Sequence, residues 1–271
     1  MRNTFCGTSR AAALAIAAVF VLGGQSLLFA GAKKEAAGKA QDLQPVELHL
    51  YAGAGLRTPA EIIIENFESA TGNTVSVEWA GMGQLLTRFQ TTNVGDVFLS
   101  GAESYVDEIA NEGKVLLEKK LVYHTAVMAV RRDKAEGINN FADLAKSNLR
   151  LAVGDPEAIA LGKSGEMMLE KSGFADELRK KIITRATTGP QLSMYLLNGD
   201  VDAAIIGRGD AVKNSDKLVI LPVPPGIPQE ISAIASLSTS EHPDIANQLV
   251  EWFAKPESIA IFVNEGYLPL E

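Results

Sequence analysis

A strand running into a glycine-bearing turn that opens a helix recurs at residues 52–58 (AGAGLRT), 81–84 (GMGQ), 101–103 (GAE) and 187–190 (TTGP). Such a turn bares backbone N–H groups and ends at a helix N-terminus, which carries roughly half a positive charge. Several of them aimed at one point would hold a small anion without any lysine. At one junction alone a glycine does no more than relieve backbone strain. Its recurrence along the chain is what points to an anion cage.

Competing chemistries find less support. GKS at 162–164 lacks the earlier glycine of a phosphate loop, because Glu157 stands there and would repel a triphosphate. GAGLRT and GMGQLL fall short of a dinucleotide fingerprint, since their third glycine is replaced by Thr58 and Leu86. The three histidines, His49, His124 and His242, have no metal-ligand spacing and read as packing or surface residues. Asp155 and Glu157 fit a turn and a helix start better than an acid/base pair. No nucleophile-elbow pattern is present, so nothing marks an enzyme, and no cofactor or metal is implied.

The chain has 271 residues, enough for one large or two medium α/β domains. Residues 1–32 have a basic start, the apolar run AAALAIAAVFVLGG and the small-residue site AGA, and read as a cleaved signal peptide. The single cysteine, Cys6, lies in that leader, so the exported chain has no disulfide or thiol chemistry. Without the leader, 23 basic residues face 33 acidic ones. That charge disfavours nucleic acid and anionic lipid as partners. Residues 33–44 are polar and small, and read as a flexible spacer.

The elements that must position the turns alternate from Pro45 onward. Strand PVELHLYA leads to a helix whose start, TPAE, is a capping box with proline at its first position. Strands TVSVEWA and VGDVFLSG alternate with helices, and LVYHTAVMAVRR is a strand-like connector. The alternation then restarts through RLAVGDP, KIITRATTG, DAAIIG, LVILPVPPG and EISAIASLS, and closes on two helices. Such a pattern predicts an α/β fold of mainly parallel sheets covered by helices, in two lobes with a cleft between them.

The stretches LHLYAGAGL, WAGMGQLLTRFQ, GDVFLSG, FADLAKSNLRLAVGDPEAIALGKSGEMMLEKSG, GDVDAAIIGRGDAV and PESIAIFVNEGY, in this order and spacing, resemble periplasmic molybdate-binding proteins of ABC transporters. The resemblance spans nearly all of 45–267. It implies a type II periplasmic-binding fold, with lobe I at 45–123 plus 230–271, lobe II at 124–229, and a two-strand hinge. It also implies a monomer that captures molybdate or tungstate in the periplasm and delivers it to an inner-membrane permease. The ligand contacts it implies fall at Gly55, Met82, Gly83, Gly101, Leu161, Gly189 and Gly207. In the family, Gly55 and Met82 correspond to serines and Gly207 to a tyrosine, so three hydroxyl donors are missing. Arg57 and Arg208 are the residues that could compensate, through bidentate guanidinium donors. The missing hydroxyls leave open another small anion or polar solute, and a signalling subunit or a cleft hydrolase as other classes.

Overall fold

Strand β1 (Glu47–Gly53) sends Leu48, Leu50 and Ala52 to one face and Tyr51 to the other, as the two-residue period of a strand requires. It lies in parallel between β2 (Thr74–Ala80) and β3 (Val97–Ser100), with Leu50 opposite both Val77 and Val97. This computed structural model describes residues 44–227 and 229–271. The expected leader, and the spacer up to residue 43, lie outside the described residues.

Helices α1 (Arg57–Thr71), α2 (Met82–Thr92) and α3 (Glu103–Asn111) follow these three strands in turn. Helix α1 ends on Gly72 in the left-handed region, at φ 76°. Its start differs from the TPAE expectation. A 3₁₀ turn, Ala54–Leu56, runs straight into the helix, buried Leu56 occupies the cap position, and Thr58 falls inside the first turn.

The connector LVYHTAVMAVRR is two strands, β4 (Val115–His124) and β5 (Ala126–Arg131), which part at Thr125 into different sheets. After β5 come α4 (Phe141–Lys146), β6 (Leu151–Gly154), α5 (Ala160–Lys171), α6 (Ala175–Arg179) and β7 (Ile182–Ala186). Next are α7 (Gly189–Asn198), β8 (Ala203–Gly207), α8 (Arg208–Lys213) and β9 (Leu218–Ile220). Strand β9 stops at Ile220 because the prolines that follow cannot donate to a ladder. The chain then returns to the first sheet through β10 (Glu230–Leu237), α9 (Pro243–Phe253), α10 (Pro256–Asn264) and β11 (Leu268–Pro269). Thr125 Oγ1 donates to Gln229 Oε1 at 3.1 Å, tying the outgoing crossover to the returning one.

The six-stranded sheet has the order β11-β4-β10-β3-β1-β2 and the five-stranded sheet β7-β6-β8-β5-β9. Both are mixed rather than mainly parallel. Among the described residues four strand pairs are parallel and five antiparallel. The parallel pairs come from strand–helix–strand repeats. The antiparallel ones pair β10 with β3 and β4, β11 with β4, and β5 with β8 and β9. The first sheet is covered on both faces. Phe67, Leu249 and Phe253 pack on one side, and Phe89, Tyr105 and Ile109 on the other. The second sheet has one core around Met128, Val153, Ile205 and Leu192.

Candidate functional site

The C-terminal ends of β1, β2 and β3 face those of β6, β7 and β8. At such strand ends the chain turns into helices whose first amides have no intrahelical acceptor. Two adjoining cavities of about 30 Å³ each lie in the gap, with Gly55, His124, Leu161 and Gly189 lining both. That volume is roughly two to three times what one water needs. The first, the Met82 cavity, adds Gly53, Met82, Gly101 and Thr188, and no lysine or arginine reaches it. The second, the Tyr267 cavity, adds Gly207, Asp210, Lys213 and Tyr267.

The two halves touch beside the cavities. Gly83 N donates to Ala158 O at 3.1 Å. A β-carbon on Gly83 would come within 2.5 Å of Glu157 O, and one on Gly81 within 2.5 Å of Thr187 O. Glycine at these two positions is therefore a condition for the facing backbones to approach this closely.

His124, the last residue of β4, stands at the centre with only 8 % of its surface exposed. Its Nδ1 lies 3.2 Å from Gly101 O, and its ring stacks on Tyr267 at 5.5 Å between centroids. Glycines surround the ring. A β-carbon at Gly101 would lie 2.7 Å from Nδ1, one at Gly207 would lie 3.5 Å from Nε2, and one at Gly55 would lie 3.9 Å from Nε2. Burial holds the imidazole below its ordinary pKa, opposed by the Gly101 carbonyl and the charge of Asp210. Tyr267 donates its hydroxyl to Gly55 O at 2.7 Å, and burial, with Asp210 and Glu265 nearby, pushes that hydroxyl above the usual phenol range. Asp210 accepts from Ser193 Oγ at 2.5 Å, and Lys213 pairs with Glu265 at 3.3 Å at the mouth.

A family model for bacterial extracellular solute-binding proteins matches residues 48–268. The chain belongs to that family. A Haemophilus influenzae relative, named only as a binding protein, is 47 % identical over 227 residues, covering 84 % of this chain and 93 % of the relative. The molybdate-binding protein ModA of Escherichia coli is 22 % identical over 229 residues, covering 82 % of this chain and 88 % of ModA. The structure of the periplasmic molybdate-binding protein of Azotobacter vinelandii superposes with a TM-score of 0.71 at 18 % identity, over 83 % of this chain and all of that one. The fold is accordingly the two-lobed α/β fold of type II periplasmic binding proteins. These relatives are binding proteins, not enzymes.

In this solute-binding protein the glycine turns expected from the sequence do meet, since Gly55, Gly101, Gly189 and Gly207 all border the cavities, with Leu161 and Met82 between them. The arginines do not join them. Arg57 is half exposed, with its guanidinium 5.0 Å over the Trp79 ring and its Nε 3.9 Å from Glu61. Arg208 donates to Gly266 O at 2.8 Å. Both cations are engaged by other groups, and neither lines the cavities. Gly83 spends its amide on Ala158 O and borders the outside of the contact. Sequence reasoning set His124 aside and did not single out Tyr267. The available signal was a histidine following the apolar run Leu121–Tyr123, at the break where the chain changes sheets. Among the described residues, no group of three or more histidine, cysteine or carboxylate side chains could hold a metal ion.

Proposed function

We propose that the chain captures a small oxyanion, with molybdate or tungstate the leading case, between its two sheets. The loaded protein then delivers it to an ABC permease in the inner membrane. The observation that carries this reading is the convergence of helix-opening turns from both sheets on the small Met82 cavity, which no lysine or arginine enters. Amides at Gly55, Gly101, Leu161 and Gly189 are the proposed donors, suited to an ion stripped of water and held by oriented dipoles. The likeness to molybdate-binding proteins supports the choice of ion. In this reading residues 1–32 export the chain to the periplasm, lobe I is 45–123 plus 230–271, and lobe II is 124–229. The protein works as a monomer that closes on its ligand through the two crossovers.

Met82 in that cavity and the three missing hydroxyls favour a second reading, in which the same site takes a different small anion. A thermal-shift panel of tungstate, molybdate, sulfate and phosphate separates the two. Tungstate and molybdate are expected to raise the melting temperature most. No shift with either at millimolar concentration would leave only the second reading.

A further inference from the structure

We infer that the cleft binds its anion together with one proton, held at Nε2 of His124. This rests on the anion-site reading above. Nδ1 faces the carbonyl of Gly101, which only accepts, so the ring proton of a neutral imidazole belongs on Nδ1. Nε2 then carries a bare lone pair. It is directed at the space beside Gly55 and Gly207, and among the described residues no hydrogen-bond donor meets it.

A lone pair facing a fully deprotonated oxyanion repels it. The conflict disappears when a proton lies between them, taken up by the imidazole from solvent or carried in by an ion that keeps an acidic O–H. In both cases one N–H···O or N···H–O bond forms at Nε2.

The charged and titratable groups around the ring bear on this exchange. Asp210 and Lys213 come from α8, and Glu265 and Tyr267 from the segment before β11. Glu230 stands opposite His124 in register on β10 and accepts from Ser164 Oγ at 2.9 Å. Lys213 is paired with Glu265, which leaves Asp210 as the carboxylate favouring an imidazolium. Asp210 borders only the Tyr267 cavity, so the anion belongs in the Met82 cavity, with the cationic ring between the two negative charges.

The test is calorimetry of full-length protein with tungstate, sulfate and phosphate, in buffers of different ionisation enthalpy. Tungstate and sulfate, deprotonated near neutral pH, are expected to bind with uptake of about one proton, and their affinity should fall by up to about tenfold per pH unit above neutrality. Phosphate in its monohydrogen form should bind with little uptake. His124→Gln should bind more weakly and lose the pH slope. Nitrogen-15 shifts of the three histidines in the unmutated protein follow the same proton directly, with Nε2 of one ring becoming protonated as tungstate is added. Tungstate or sulfate binding without proton uptake, or a pH slope surviving in His124→Gln, overturns the inference while leaving the anion site standing. No binding by any of the three ions overturns both.

Discussion

At Gly101 a β-carbon would stand 2.7 Å from His124 Nδ1, inside the distance two such atoms can share, so any side chain there must displace the ring. Gly101→Ala is expected to lower oxyanion affinity at least about tenfold, and stability by about 1–3 kcal/mol, as overpacking does. Titration and urea unfolding measure the two effects, and unchanged affinity would separate the ring from the site. Arg57 leads to the opposite expectation, because its guanidinium lies on Trp79 and beside Glu61. Arg57→Ala should leave affinity within about twofold, since exposed contacts of this kind contribute at most about 1 kcal/mol. A tenfold loss would return Arg57 to the site. The resemblance to molybdate-binding proteins puts hydroxyl donors at Gly55 and Gly207, and each hydrogen bond to an ion is worth about 1.5–3 kcal/mol. The imidazole occupies the space between those two glycines and offers one donor, once protonated, in their stead.

The elements are held in register by contacts at strand ends. Asp202, just before β8, accepts from the backbone N of Arg150 at 2.9 Å and from its guanidinium Nε at 3.0 Å, joining the starts of β6 and β8. The Arg150 side chain beside it holds the Asp202 carboxyl below the usual carboxylate range. A depressed carboxylate contributes stability above its unfolded-state pKa, about 3.9, and loses it as the pH falls through the lower folded-state value. Asp202→Asn is therefore expected to cost about 1–3 kcal/mol at neutral pH, the scale of hydrogen bonds to a charged group. The gap between variant and parent should shrink below about pH 4, which unfolding curves at several pH values would show. A gap of constant size down to acid would mean that the carboxylate charge contributes nothing. Periodicity placed these strands and most of the helices. It did not show that TPAE lies inside a helix already under way, because the 3₁₀ turn ahead of it is held by the burial of Leu56 rather than by a polar cap.

In the whole molecule the two sheets meet where Gly83 N reaches Ala158 O and no room remains for a β-carbon. Gly83→Ala adds helix propensity to the first turn of α2, worth up to about 1 kcal/mol, so the fold should survive. The added methyl blocks the approach of Glu157 O, so small-angle scattering with tungstate present should show a more open particle than the parent and titration a weaker affinity. Compaction equal to the parent's would argue that closure does not pass through this contact. Two-lobed α/β architecture and glycine turns at strand ends were determined by the sequence alone, because hydrophobic period and chain punctuation are local properties. The tertiary structure alone decided which side chains share the gap. It left Arg57 and Arg208 out of both cavities, and it brought His124, Tyr267 and Asp210 together from segments up to 143 positions apart. Those placements depend on packing between residues far apart in the chain, and above all on the empty β-position of Gly101, which becomes informative only once the imidazole is seen to fill it.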